Sequence, residues 1–200
     1  MGLCFSSPHI QKADTSSPRR ERNYRVSNRE AKHGDFVIFF PDKGMPCRFV
    51  LEGRECRRRD CSYIHSKTGL VELLQILNAA RRYLDICVFT ITCNEIAAAI
   101  IAAHRRGVKV RVISDDDQSS TKGSDISELR QCGIPVRLDN SEFHMHHKFA
   151  LIDQHRLITG SFNWTRQAVT SNQENLVVLH SPDLISQFSA EFEKLWNAFR

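Results

Sequence analysis

The stretch from His144 to Asp153, HMHHKFALID, sets three histidines and a lysine within five residues and then continues as a plain apolar strand. In an extended chain residues two apart share a face, so His146 and Lys148 project together. Ser161 and Asn163, in TGSFNWT, are again two apart. Folding 146–153 back on 157–163 gathers His146, Lys148, Ser161 and Asn163 at one edge of a sheet. Glu174, in SNQENLVV, opens the next strand near that edge, and Asp153 closes the first strand at its far end. This set suits phosphoryl transfer. A neutral imidazole attacks phosphorus and holds it covalently. A lysine brings a compact positive charge to the phosphoryl oxygens, and Ser and Asn add donors. A carboxylate on the second ring nitrogen fixes the tautomer and steadies the imidazolium. None of this asks for a metal, so catalysis is expected to need none. Plainer roles stand beside these: His144 and His147 as solvent-facing residues, Asp153 as the start of a turn at DQHR, Ser161 and Asn163 as turn-formers.

The pattern H-x-K-x4-D followed by G-S-x-N is carried here by His146, Lys148, Asp153, Gly160, Ser161 and Asn163. It resembles the signature of the phospholipase D superfamily. The resemblance implies that His146 is the nucleophile, that Lys148 and Asn163 hold phosphate, and that Glu174 supports the histidine. It gives the matching Asp153 a structural or hydrogen-bonding part. The candidate catalytic set is therefore His146, Lys148 and Asp153, with Ser161 and Asn163 as substrate contacts and Glu174 in support. The chemistry also wants a second imidazole to protonate the leaving oxygen. No other histidine stands in a matching H-x-K context. Single-motif members of the superfamily pair two chains, so a homodimer is expected, with His146 of each copy facing the other across a two-fold axis.

A second constellation is Cys47-x8-Cys56-x4-Cys61-x3-His65. Three thiolates and an imidazole complete a tetrahedral zinc site. Residues 47–65 hold too few apolar side chains to fold without a staple, so a structural zinc would organise them; a basic loop with incidental cysteines is the alternative. The segment resembles a CCCH zinc finger with a slightly short middle spacing. Arg48, Arg54, Arg57, Arg58 and Arg59, with Phe49 and Tyr63 among them, suit single-stranded RNA or DNA by charge and stacking. They equally suit a solvated face or anionic head groups. The insert and the single motif together, over residues 36–199, resemble the Zucchini / mitochondrial cardiolipin hydrolase family. That resemblance implies a dimeric phosphodiesterase on the cytosolic face of the mitochondrial outer membrane. Its substrate would be single-stranded RNA in piRNA biogenesis, or cardiolipin hydrolysed to phosphatidic acid. A catalytically silent, membrane-tethered RNA-binding adaptor is the reading from another class.

The elements that must position these residues are legible in the periodicity. DFVIFFP reads as a strand, GLVELLQILNAARRYL as a helix with Leu70, Leu73, Leu74, Leu77 and Ala80 on one face, DICVFTIT as a buried strand, and NEIAAAIIAAHRRG as a helix closed by Gly107. VKVRVISD and IPVRLD read as strands around a short helix, SDISELRQCG, capped by Ser124 or Asp125. HKFALID, RLITGS and ENLVVLHS follow as strands, and an amphipathic helix with Pro182 in its first turn closes the chain. The alternation predicts an α/β domain over 34–200: a mixed sheet with helices on both faces, the phospholipase D fold by resemblance, with a small zinc-finger-like insert at 47–65.

Residues 1–33 are polar and rich in Ser, Arg and Pro, and read as a disordered arm. The resembling family begins with a membrane-spanning helix, and this sequence shows no apolar run of that length. Gly2 with Ser6 fits N-myristoylation and Cys4 is placed for palmitoylation, a pair that anchors where one chain is marginal; a chance match is the alternative. Seven cysteines and no secretory signal point to a reducing compartment, and a net charge of +5 suits an anionic partner.

Overall fold

A computed structural model of the protein describes residues 34–200. The arm 1–33, with the acylation reading of Gly2 and Cys4, lies outside the described residues. Seven strands form the main sheet in the order β1-β9-β7-β6-β2-β4-β5. They are β1 (Phe36–Phe40), β2 (Tyr83–Val88), β4 (Lys109–Ser114), β5 (Val136–Leu138), β6 (Lys148–Ile152), β7 (Arg156–Gly160) and β9 (Glu174–Leu179). Strands β2, β4 and β5 run parallel; the pairs β2–β6, β6–β7, β7–β9 and β9–β1 are antiparallel. A two-stranded sheet of β3 (Ile91–Thr92) and β8 (Trp164–Thr165) stands apart. The helices are α1 (Arg48–Leu51), α2 (Gly69–Asn78), α3 (Asn94–Arg105), α4 (Asp116–Ser120), α5 (Ile126–Gln131), α6 (Arg166–Thr170) and α7 (Pro182–Ala198).

The sheet is mixed and covered on both faces. Leu84, Ile86, Ala150, Ile152, Ile158, Leu176 and Val178 point to the side of α2 and α3, in one core with Leu70, Leu73, Leu77 and Ile100. Cys87, Ile113, Phe149, Leu151 and Leu157 point the other way and meet Ile185 and Phe192 of α7. A strand covered on both faces loses its polar alternation. Within β2, Asp85 is the exception, held by Arg111 of β4 at 2.7 and 2.9 Å, and Arg111 also reaches Glu193 of α7 at 2.6 Å. The same guanidinium lies 4.8 Å from the Phe192 ring centre. The start of α2 is capped twice. Thr68 accepts from Val71 N, and Asp42 accepts from Gly69 N at 2.7 Å and Leu70 N at 2.9 Å.

Three differences from the sequence expectation have physical reasons. DICVFTIT is two strands, because Ile91 and Thr92 leave the sheet to pair with Trp164 and Thr165. Helices α4 and α6 are too short for a period to show; each is set by one cap, Asp115 on Gln118 N and Thr165 on Ala168 N. The insert is not wholly irregular: α1 makes one turn, and Pro46 bridges Ile64 in parallel.

Asp153 stands apart from the His146–Lys148 pair. Lys148 opens β6 and Asp153 follows its last residue, so the two lie about 16 Å apart at opposite ends of the strand, at roughly 3.3 Å per residue. The carboxylate accepts from the backbone N–H groups of Arg81, Arg82 and Tyr83 at 2.7–3.2 Å. Asp153 and Gln154, at φ 53° and 60°, turn the chain into β7. Asp153 thus ties the hairpin to the backbone at the start of β2. Burial pushes its pKa up, but the three N–H groups outweigh burial and hold it below the ordinary carboxylate value. It binds fewer protons folded than unfolded. Its contribution is therefore complete above the unfolded pKa of about 3.9 and is lost as pH falls through the lower folded value. Asp153→Ala should cost roughly 1–3 kcal/mol in chemical denaturation at pH 7, and the difference from wild type should shrink below pH 4. An unchanged midpoint at pH 7 would show that the three N–H groups do not depend on it.

Candidate active site

The carboxyl ends of β1, β2, β4 and β7 and the amino ends of β6 and β9 meet at one end of the sheet. The segment 144–147 arrives there extended and enters β6 at Lys148. Met145 is 5% exposed and sits in the α7-side core, its sulfur 3.5 Å from Cys87 Sγ. His147 faces the same way: its ring meets Phe149 edge-on, and its Nε2 is 3.9 Å from Glu191 of α7. Alternation sends His144, His146 and Lys148 to the other side. All three meet one ring, Phe89, which follows β2. The two imidazoles lie edge-on to it at 5.3 and 4.7 Å, and the Lys148 ammonium is 5.5 Å from its centre. Phe89 is itself held, donating its N–H to His147 O and accepting from Ser114 Oγ.

Lys148 Nζ donates to the His146 carbonyl at 2.8 Å and lies 3.2 Å from His146 Nδ1. Desolvation, first, and the Lys148 charge, second, lower the His146 pKa. Desolvation also lowers that of Lys148, against the opposing charge of Glu174. An imidazole held below its ordinary value of about 6.5 is neutral at pH 7 and keeps a lone pair for attack.

On the neighbouring strands, Gly160 ends β7 so close to β9 that an added Cβ would fall on the Asn175 carbonyl oxygen. That approach lets Ser161 N and Phe162 N both donate to Asn175 O, while Asn175 N donates to Ser161 Oγ. Phe162 is buried and stacked on Phe40 with centroids 4.2 Å apart, which leaves Ser161 exposed on one side of it and Asn163 half-buried on the other. Asn163 Oδ1 is buried without a hydrogen-bond partner among the described residues. The fold thus brings His146, Lys148, Ser161, Asn163 and Glu174 to one end, and leaves Asp153 at the other. Glu174 differs from expectation in its contacts. Its oxygens accept from Ser161 Oγ at 2.5 Å and Asn172 Nδ2 at 3.2 Å, so it orders the serine and balances Lys148 rather than bonding the His146 ring.

The insert follows β1 and therefore sits at this same end. The ligand atoms of Cys47, Cys56, Cys61 and His65 all lie within 4.8 Å of one another, with Cys47 Sγ and Cys61 Sγ 3.7 Å apart. Metal–sulfur bonds of 2.3 Å at tetrahedral angles give an edge of about 3.8 Å, so this donor set fits such an ion. Backbone bonds from Cys47 N to Ile64 O and from Ile64 N to Met45 O close the loop. Between the insert and the starts of α3 and α6 runs a cleft of about 450 Å³, lined by Arg48, Phe49, Arg54, Arg58, Tyr63 and Arg166. Arg54 stacks over Phe49 at 4.8 Å, and Arg166 pairs with Glu95 at 3.1 Å. Sequence reasoning missed Phe89, which reads as one more apolar residue of a buried strand, and it missed the pairing of His144 with Asp115 at 3.1 Å.

Comparison with known proteins places this geometry. A family model described as "Cardiolipin synthase, PLD-like domain" matches residues 73–196. A protein of Chlamydomonas reinhardtii named mitochondrial cardiolipin hydrolase is 52% identical over 82% of this chain and 74% of its own length. One of the same name from Danio rerio is 42% identical over 81% and 72%. Among solved structures, the phospholipase D family member Nuc from Salmonella typhimurium superposes with a TM-score of 0.66 at 26% identity, covering 84% of this chain and 96% of Nuc.

The charge coupling in the His146–Lys148 pair is open to direct test. Lys148→Met removes the cation that lowers the His146 pKa, so the titration midpoint of His146, followed by NMR, should move upward. A midpoint that stays put or falls would show that desolvation alone sets it.

Proposed function

The chain belongs to the phospholipase D-like family and is a hydrolase acting on phosphodiesters; within that family we propose that it cuts single-stranded RNA through a phosphohistidine on His146. The observation that carries this reading is the His146 imidazole 3.2 Å from Lys148 Nζ, both against Phe89, where desolvation and the Lys148 charge hold the His146 pKa down. In the proposed mechanism a His146 ring nitrogen attacks phosphorus while Lys148, Asn163 and Ser161 hold the phosphoryl oxygens. The leaving oxygen takes its proton from His146 of a second copy across a two-fold axis, since only one H-x-K motif stands in this context in each chain. Water then releases the phosphoryl group. Residues 34–200 form the catalytic domain in this reading. The arginine- and aromatic-lined cleft at the same end of the sheet suits a single strand, whose phosphates meet the guanidinium groups and whose bases stack.

A specific observation favours a second reading. Relatives at 42–52% identity are named for cardiolipin hydrolysis, and the same groups would release phosphatidic acid from that lipid. It would place the protein at a membrane, the mitochondrial outer membrane on the family's pattern. Among the described residues no helix is long and apolar enough to cross one. The insert would hold zinc through Cys47, Cys56, Cys61 and His65. Zinc would supply structural cross-linking there and take no part in the reaction.

Purified protein given labelled single-stranded RNA and, separately, cardiolipin vesicles should cleave the RNA, and His146→Ala should abolish cleavage. Turnover of lipid but not RNA, lost in the same variant, would give the second reading. Tight RNA binding with no His146-dependent turnover of either would leave an adaptor. Metal analysis should return one zinc per chain. Cys56→Ser should lose it and lower the thermal midpoint; a metal-free wild type with an unchanged midpoint would refute the zinc.

A further inference from the structure

We propose that Arg166, held through one nitrogen by Glu95, binds a phosphodiester that flanks the scissile one, so that the site grips a strand at two phosphates and not at one. The inference deepens the single-stranded RNA reading and rests on it.

Asn163, a substrate contact in that reading, and Arg166 are three residues apart, so their backbones lie at most about 11 Å from each other. The residues between them are pinned. Trp164 is in the core, and Trp164 and Thr165 pair with Ile91 and Thr92. Thr165 caps α6, whose Ala168 and Val169 are fully buried, and Val169 O accepts from Asp42 N at 2.7 Å. Arg166 therefore stands on a fixed mount beside the reacting centre, and it lines the cleft that runs to the insert. The cleft arginines of the insert are engaged there: Arg48 and Arg54 both pair with Glu52, at 2.7 and 3.0 Å, and Arg54 and Arg58 lie over Phe49. Arg166 faces them from the side of the cleft that carries Asn163.

Its guanidinium keeps a complete edge for a phosphate. Nη2 donates to Glu95 Oε1 at 3.1 Å, and among the described residues the side chain has no other hydrogen-bond partner. Nη2 carries two hydrogens, one on each bidentate edge of the group. Whichever of them Glu95 takes, the other edge keeps both donors, the geometry that grips a phosphate. The Arg166 side chain is 55% exposed, that of Glu95 only 20%. The second carboxylate oxygen of Glu95 takes the Cys93 thiol at 3.4 Å. Burial, and after it the Glu95 charge, push the Cys93 pKa up to about 12, so the thiol keeps its proton and remains a donor. Held at both oxygens, Glu95 is the positioning residue that aims the fork. An ion pair so exposed on its basic side adds little to stability, so tying α6 to α3 is a minor part of what this arginine can do.

Single-stranded RNA of fixed sequence, carrying a neutral methylphosphonate in turn at each phosphate flanking the cut, tests the contact. Arg166→Ala should raise KM for the unmodified strand about tenfold. The dependence of log KM on log salt should become shallower by about 0.7, the share of one phosphate contact on a single strand. At one flanking position the methylphosphonate should raise the wild-type KM by a similar factor and add nothing further in Arg166→Ala, since both changes remove the same contact. Arg166→Lys, which keeps the charge and loses the fork, should fall between the two. Penalties that add at every flanking position, or a salt slope in Arg166→Ala equal to that of wild type, would overturn the proposal. RNA cut by Arg166→Ala with the wild-type KM would overturn this inference alone. RNA left uncut by wild type would overturn the single-strand reading of the site, and this inference with it.

Discussion

Two basic groups 3.2 Å apart cannot both carry a full positive charge in a partly desolvated corner without a penalty, and at His146 and Lys148 the imidazole gives way. The rest of this end of the molecule follows from that arrangement. Phe89 desolvates the pair and keeps it in place. The charge of Glu174 opposes the desolvation that lowers the Lys148 pKa, while its hydrogen bonds go to Ser161 and Asn172.

The row of side chains that makes the pair was legible because extended backbone projects every second residue to one side, and His146, Lys148, Ser161 and Asn163 all obey that spacing. The helix faces of α2 and α3 were legible for the corresponding reason at helical period. Contacts between distant parts of the chain were not. Phe89, Asp115 and the histidines come together only because β2 lies between β4 and β6, and no local pattern encodes that strand order. Asp153 is a different case. Its place in the motif is regular, but a motif records what the chain keeps together in sequence, and the work of Asp153 is to bind backbone at the far end of the hairpin. Helices α4 and α6 lacked the length for a period to rise above composition.

The cysteine-bearing insert gains its relation to the site from topology. It follows β1, whose carboxyl end lies beside the start of β9, so its arginines and aromatics fall on the same end as Lys148 and Asn163. Across Phe89 the loop between β4 and α5 presents carboxylates instead. The reacting end is therefore polarised, basic towards the insert and acidic towards α4. An extended anion would be drawn to one flank only.

Gly160 has a wider implication. Strand β9 can approach β7 there because no side chain intervenes, and Ser161 and Phe162 share a single carbonyl acceptor as a result. The serine and asparagine thus inherit their height above the sheet from a distance between two backbones. Hydrogen-bonded strands keep a nearly fixed spacing of about 4.8 Å, so these two side chains are gauged against the scaffold rather than against a flexible loop. Such a mount would let widely differing entrances be grafted around an unchanged reacting centre.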